Sequence, residues 1–281
     1  MNTVTAPGAP CAQPLIIYGT AWKKADTQRL ARQAIELGFR AIDTACQPKH
    51  YNEAGVGAGM AQALATLPGL TRAELFVQTK FTPLTSQDPL QLPYDPDASL
   101  TEQVSQSFAT SLRNLQTAYV DSLILHSPLP DEAQTLEAWR AMEALVESGK
   151  VRQLGLSNCY EQRLLRSLYM AARVKPAALQ NRFHSKTGYD RELRAFTSHH
   201  GIRYQSFWTL TANPNVLAHA SVQALAERHQ RTPAQVFFRY LTQIGITPLT
   251  GTSSTEHMQQ DLAISEFTLQ PDELAAINQL L

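Results

Sequence analysis

The chain has 281 residues, 43% of them hydrophobic and 17% charged, enough to bury a large core as one α/β barrel or as two smaller domains. Lys plus Arg equals Asp plus Glu at 24 each and there is no basic run, which argues against a protein held by charge to nucleic acid or to an anionic membrane. The N-terminal segment has no charged start leading into a long apolar run, and no later segment is apolar enough to span a bilayer, so a soluble cytoplasmic protein is expected. Cys11, Cys46 and Cys159 lie far apart without metal-ligand spacing, so neither a disulfide framework nor a metal site is expected.

In chain order, residues 1–13 are expected to form a flexible tail, and "PLIIYGT" is the first strand-like run. The stretch "DTQRLARQAIELGF" follows, where Leu30, Ala34, Ile35 and Leu37 share a helical face, and then "RAIDTA", which completes one βαβ unit. Next come "NEAGVGAGMAQALAT", "ELFVQTKF", a helix opened by the Ser99-x-x-Glu102 capping box, and "DSLILHSP". The alternation continues through "VRQLGLSN", "AALQNRFH", "IRYQSFWTL", one helical stretch "VQALAERHQRTPAQVFFRYLTQIG" and "ITPLTGT". Eight strand–helix repeats over one domain of residues 1–281 predict a (β/α)8 TIM barrel. A doubly wound sheet is the rival, but no Gly-x-Gly-x-x-Gly follows the first strand. Residues 82–99, rich in proline and aspartate, form the one long connection without period and are expected to overhang the barrel mouth.

Barrel sites gather where strands end, so polar residues closing apolar runs carry the information. Asp43 ends "RAID", Lys80 ends "LFVQTK", His126 ends "LILH", Ser157 and Asn158 end "QLGLSN", and Gln180 with Asn181 lies in "ALQN". Each alone has a structural explanation, such as a helix cap or a hydrogen-bonded core histidine. Together on successive strands they suggest chemistry. A phenol titrates near ~10, and a nearby ammonium stabilises the phenolate and makes tyrosine a usable acid. Asp43 would hold Lys80 charged, and an uncharged His126 would orient a carbonyl oxygen. With a hydride donor opposite, Asp43, Lys80, His126 and a tyrosine compose a carbonyl-reducing site. A Schiff-base role for Lys80 is disfavoured by the same aspartate.

The runs "GFRAIDTA", "YNEAGVG", "LFVQTK", "DSLILHSP", "GLSN", "TPAQVFFRYL" and "PLTGTSSTEHMQQDL" resemble, in order, the landmarks of the aldo-keto reductases over about residues 14–281. The resemblance implies a nicotinamide-dependent reductase on a barrel, with an Asp, Tyr, Lys and His tetrad and no metal. The common pattern D-T-A-x-x-Y-x-N-E is altered here to "DTACQPKHYNE", two residues longer, with Pro48 where tyrosine should stand. The acid role is carried to Tyr51, with His50 as the alternative. Cys46 and Lys49 are read as loop and pocket-wall residues.

By the same resemblance Ser157, Asn158 and Gln180 form the carboxamide set, which suits an amide's donors and acceptor. Asp43 is the expected ribose contact, and Thr20, Gln260 and Asp261 are also placed on the cofactor. Gln205 stands where the family has the tyrosine of Y-S-P-L. It is followed by Ser206, Phe207 and Trp208, so stacking on the nicotinamide shifts to Phe207 or Trp208 or is lost. Thr209, Leu210 and Asn213 are expected on the pyrophosphate. Gly251, Thr252 and His257 replace Lys, Ser and Arg of the usual 2′-phosphate set, while Thr252, Ser253 and the following helix start can still bind an anion. NADPH is expected, with NADH possible. Trp22, His50, Phe81 and the 82–99 loop are expected to line the substrate pocket. The chain ends after its last helix, so an open site for a small-molecule carbonyl is expected, on a monomer or weak dimer. A non-catalytic, cofactor-binding regulatory member of the family is the other reading.

Overall fold

The computed structural model describes residues 14–281, so the tail expected at 1–13 and Cys11 lie outside the described residues. The order is β1 (Ile17–Gly19), α1 (Thr27–Leu37), β2 (Ala41–Asp43), α2 (Glu53–Thr66), β3 (Phe76–Phe81), α3 (Leu100–Leu115), β4 (Val120–Leu125), α4 (Glu132–Glu147), β5 (Val151–Ser157) and α5 (Gln162–Ala171). There follow β6 (Ala178–Arg182), α6 (Arg191–His199), β7 (Arg203–Phe207), α7 (Pro214–Leu217), α8 (Ala220–His229), α9 (Pro233–Gln243), β8 (Ile246–Thr250), α10 (Thr255–Leu262) and α11 (Pro271–Asn278). The eight strands close in sequence order into a parallel barrel, β8 pairing with β1, as eight strand–helix repeats require.

Side-chain alternation along each strand divides the core in two. Val77, Leu123, Leu154, Leu179 and Tyr204 face outward and bury themselves with the helices, while Ile17, Ala41, Phe76 and Leu249 pack inside the barrel at its lower end. Gly155 is needed where it stands, because a Cβ there would run into Ile124 Cδ1 and the Ala178 carbonyl. Above the apolar floor the inward positions are polar, and strand register brings them level. Asp43 pairs with Gln78, Ser157 with Gln180, and Gln180 with Gln205.

The one helical stretch expected across residues 222–245 is two helices. Gln230 takes a left-handed conformation (φ 53°) that ends α8. Thr232 then caps α9 through a capping box with Gln235, with Pro233 in the first turn, a pair of signals that outweighs the continuous apolar period. The long connection over residues 82–99 is tied down by side chains. Tyr94 Oη donates to Thr82 O (2.8 Å), Gln47 Nε2 to Ser86 O (2.6 Å) and Gln87 Nε2 to Cys46 O (2.9 Å). No helix among the described residues is long and apolar enough to cross a membrane.

Candidate active site

The polar strand ends meet at the C-terminal mouth, in a cavity of about 1120 Å³. At its base Asp43 is fully engaged. Its Oδ2 accepts from Lys80 Nζ at 2.6 Å, and its Oδ1 accepts from Gln78 Nε2 at 2.8 Å and Gln180 Nε2 at 3.0 Å. Lys80 Nζ also donates to Thr44 O at 2.8 Å. Burial lowers the Lys80 pKa, and the Asp43 carboxylate works against that shift.

The lengthened loop after β2 still delivers Tyr51 to this pair. Gln47 O accepts from both His50 N (3.1 Å) and Tyr51 N (2.9 Å), so Pro48, Lys49 and His50 are absorbed in a tight turn. His50 O in turn accepts from Trp22 N at 2.8 Å. Tyr51 then lies edge-on to His126, with ring centroids 6.0 Å apart, and the Lys80 ammonium is 5.1 Å from its ring centre. The Tyr51 pKa is raised, first by burial and then by the negative Asp43. This runs against the expectation of a phenol made acidic by Lys80, because burial disfavours the phenolate and the Asp43 carboxylate adds to that effect.

His126 shares a 2.7 Å hydrogen bond between its Nδ1 and Thr82 Oγ1, which leaves Nε2 for a ligand. Burial, then the charges of Lys80 and His50, hold its pKa well below the usual histidine value, so it is a neutral imidazole. His50 stacks on Trp22 at the rim (centroids 4.0 Å apart), and its Nδ1 is buried without a hydrogen-bond partner.

On the opposite wall Ser157 Oγ donates to Gln180 O (2.7 Å), and Asn158 Nδ2 donates to His126 O (2.9 Å). Asn158 is held at φ 52°, a left-handed conformation that asparagine tolerates better than most residues. Among the described residues nothing donates to its side-chain oxygen.

Residues 16–281 match the Aldo/keto reductase family. The chain belongs to that family. It is 31% identical over 256 residues to an aldo-keto reductase of Mycolicibacterium vanbaalenii, covering 91% of this chain and 84% of the relative. It is 29% identical to the methylglyoxal reductase DkgA of Yersinia pestis, with 91% and 84% covered. A solved mutant of Gox0644 in complex with NADPH superposes with a TM-score of 0.77 at 29% identity, covering 95% of this chain and 89% of that one.

Measured against this aldo/keto reductase fold, most expected contacts line the cavity: Asp43, Tyr51, His126, Ser157, Asn158 and Gln180 around the reacting end, Trp22 and His50 at the rim. Phe207, Trp208, Thr209, Leu210, Thr252, His257, Gln260 and Asp261 also line it. Burial pushes the Asp261 carboxyl up to about 6, against a 2.6 Å hydrogen bond from Thr250. Seven of the expected catalytic, cofactor and substrate residues do not line it, and neither do Cys46 and Lys49, which were read as pocket wall. Lys80 lies just beneath the floor, on Asp43. Phe81 faces outward onto Tyr94 (centroids 5.7 Å), because the alternation that aims Lys80 inward must turn its neighbour away. Gln205 is buried level with Gln180, its Oε1 accepting from Gln78 Nε2 (2.8 Å) and Gln180 Nε2 (2.9 Å). It therefore braces the amide layer rather than offering a face to a ligand. Ser206 points outward and receives a bond from Thr209 Oγ1 (2.9 Å). Asn213 braces the loop through Phe183 O (2.7 Å) and Thr209 O (2.8 Å). Thr20 Oγ1 is spent on Asp43 O (2.8 Å), and Ser253 is exposed outside the cavity.

Sequence reasoning missed Gln78, which lies two residues before Lys80 on the same inward face; that spacing was the available signal. It also missed Lys23 and Arg182, cavity cations from a loop and from the end of β6.

Behind Asn158 a second network fixes its geometry. Cys159 N donates to Asn181 Oδ1 (3.1 Å), and Asn181 Nδ2 donates to Cys159 O (2.7 Å) and Asp190 Oδ2 (2.8 Å). Tyr204 Oη donates to that same Asp190 oxygen at 2.8 Å. One acceptor atom thus serves both donors. Asp190→Asn, which keeps a carbonyl oxygen, is expected to retain most of the stability, and Asp190→Ala to lose about 1–3 kcal/mol for the orphaned donors. Equal urea midpoints for the two variants would contradict the network.

Proposed function

We propose that the chain is a reductase of small aldehydes or ketones that uses NAD(P)H, with Tyr51 as proton donor, and that it works as one barrel domain. The observation that carries this reading is the convergence of Tyr51 and His126 on one cavity despite the altered loop, with the Lys80 ammonium beside the Tyr51 ring. When bound, the dinucleotide supplies the hydride. The residues present fit such a group. Ser157, Asn158 and Gln180 offer the mixed donors and acceptors that a carboxamide needs, and Lys23 and Arg182 bring positive charge to a cavity large enough for a dinucleotide.

Within that site neutral His126, its Nδ1 accepting from Thr82 Oγ1, donates from Nε2 to orient the carbonyl oxygen, and Tyr51 Oη gives that oxygen a proton as it becomes an alkoxide. Lys80 holds Asp43 in place beneath them. Phe207, inward on β7 two residues beyond Gln205, is the aromatic available for stacking on the nicotinamide. The lack of an aromatic residue at 205 is what favours the non-catalytic reading. The test is turnover of a broad panel of aldehydes and ketones, followed by loss of reduced nicotinamide absorbance. Tight nucleotide binding with no turnover across the panel would select the regulatory reading. The dicarbonyl named for the Yersinia pestis relative is a natural first member of that panel.

NADPH is the favoured nucleotide by the family's habit, yet the segment facing the 2′-phosphate position holds His257, whose Nδ1 is 3.4 Å from Thr252 Oγ1, and no guanidinium. His257→Arg is expected to raise the preference for NADPH over NADH about tenfold, since charge-assisted bonds to phosphate add to one nucleotide only. An unchanged ratio of the two dissociation constants would mean that this helix does not read the phosphate.

A further inference from the structure

We infer that Arg182, seated over the Trp208 ring, is an anion-binding group of the cavity that takes a phosphate or carboxylate of the bound ligand. Arg182 is the last residue of β6, inward like Gln180 two residues before it, and its register partner is Phe207. Its guanidinium carbon is 4.2 Å from the Trp208 ring centre. Trp208 itself is 49% exposed and held at φ 56°, an unusual backbone state for a bulky side chain. The pair is therefore a platform on the cavity wall, outside the core.

Among the described residues, no carboxylate and no hydrogen-bond acceptor meets the Arg182 guanidinium. Its Nε is buried and has no partner. Arg72 and Arg152, by contrast, share Asp121 at 3.0 and 2.9 Å. The two carboxylates that line the cavity are already engaged, Asp43 by Lys80 and Asp261 by Thr250. Lys23, the other cation lining the cavity, donates to the Gly251 carbonyl. Arg182 is thus a fixed charge with its donors unspent. A guanidinium carries its N–H groups in one planar fork, the geometry that meets two oxygens of a phosphate or carboxylate, and the indole beneath it competes for none of them as an acceptor.

Two sources of that anion are open, the phosphates of the dinucleotide or an acidic group on the carbonyl substrate. The substrate source rests on the reductase reading and the nucleotide source on the nucleotide binding it includes, and the experiment separates them. Arg182→Met and Arg182→Lys would be titrated with NADPH, NADH and inorganic pyrophosphate by calorimetry. They would also be assayed at saturating nucleotide with 4-carboxybenzaldehyde and the neutral 4-nitrobenzaldehyde. Arg182→Met is expected to weaken one class of anion by about tenfold or more, with Arg182→Lys recovering part of the loss. Weaker NADPH, NADH and pyrophosphate together assign the nucleotide phosphates. A loss of kcat/KM at least about tenfold larger for the carboxylated aldehyde than for the neutral one assigns the substrate. Nucleotide and both aldehydes unchanged in a variant that melts like the parent would overturn the inference. If Arg182→Met does not fold, Arg182→Gln repeats the test with a side chain that can still cover Trp208. A parent protein that binds nucleotide but reduces nothing would defeat the reductase reading while leaving the titration arm decisive.

Discussion

Tyr51→Phe is expected to lower carbonyl reduction by about 10²–10⁴-fold, the range of a lost general acid, with NADPH affinity within about twofold of the parent. The substitution is unusually clean. The Tyr51 hydroxyl makes no hydrogen bond among the described residues, so its removal orphans no buried partner. The ring keeps its edge contact with His126 and its place beside the Lys80 ammonium. Stability should therefore change by less than about 1 kcal/mol. The raised pKa does not count against the role, because an alkoxide is a stronger base than a phenolate and draws the proton from an ordinary phenol. It does have a signature. A tyrosine whose folded pKa is raised stays protonated through neutral and mildly alkaline pH, so reduction should show no loss from Tyr51 ionisation there. His126, with its pKa well below the usual value, should likewise leave the rate flat on the mildly acidic side. Near-normal turnover in Tyr51→Phe would pass the role to His50, whose pKa is lowered by burial and then by Lys49, and whose buried Nδ1 has no partner.

How far this site can be read in the sequence depends on whether a residue sits in a periodic element. Asp43, Lys80 and Gln180 were legible because each follows an apolar run, and a strand of a closed barrel leaves only two directions for a side chain. The same rule would have turned Phe81 and Ser206 outward. Gln205 was placed on the right face and is level with Gln180, but its amide is spent on Gln78 and Gln180, pairings between distant strands that a single strand does not announce. Tyr51 depended on a loop two residues too long, and its position follows from the turn at Gln47 O. Arg182 and Lys23 were illegible for a related reason. One ends its strand beyond the matched motif, the other leaves a loop whose backbone passes through left-handed states at Trp22 and Lys24, and neither position has a period to announce its direction. The break between α8 and α9 was hidden because the terminating residue is Gln230, where a glycine or asparagine is the usual signal.

Lys80→Met should be at least as damaging as the loss of the Tyr51 hydroxyl, and it should also destabilise the fold. Lys80 and Asp43 are both buried at 1% and 2% exposure, and the 2.6 Å bond between them is the carboxylate's one ionic contact among the described residues. Methionine matches the stem of lysine but leaves Asp43 Oδ2 and Thr44 O without their donor. Removing one member of a buried pair costs about 3–5 kcal/mol. The sign with pH follows from the charge left behind. In the variant Asp43 is a buried acid without its cation, so its folded pKa rises above the unfolded value near ~3.9. A raised acid favours the fold below the unfolded pKa, and that contribution is lost as pH rises through the folded pKa. The gap in stability between parent and variant should therefore shrink as pH falls toward ~4. A gap that stays constant in urea unfolding from neutral to acid pH would mean that Asp43 is compensated by Gln78 and Gln180 alone. Activity should fail for a linked reason. Asp43 already raises the Tyr51 pKa, and without the ammonium its charge acts on the phenol unopposed. Alcohol oxidation, which needs the phenolate as base, should then require a higher pH in the variant than in the parent. The competing role for Lys80, imine formation, predicts the opposite chemistry. Borohydride added to the parent with a carbonyl substrate would leave a stable adduct on Lys80, and turnover would proceed without nucleotide. With Nζ committed to Asp43 and Thr44, no such adduct is expected by mass spectrometry.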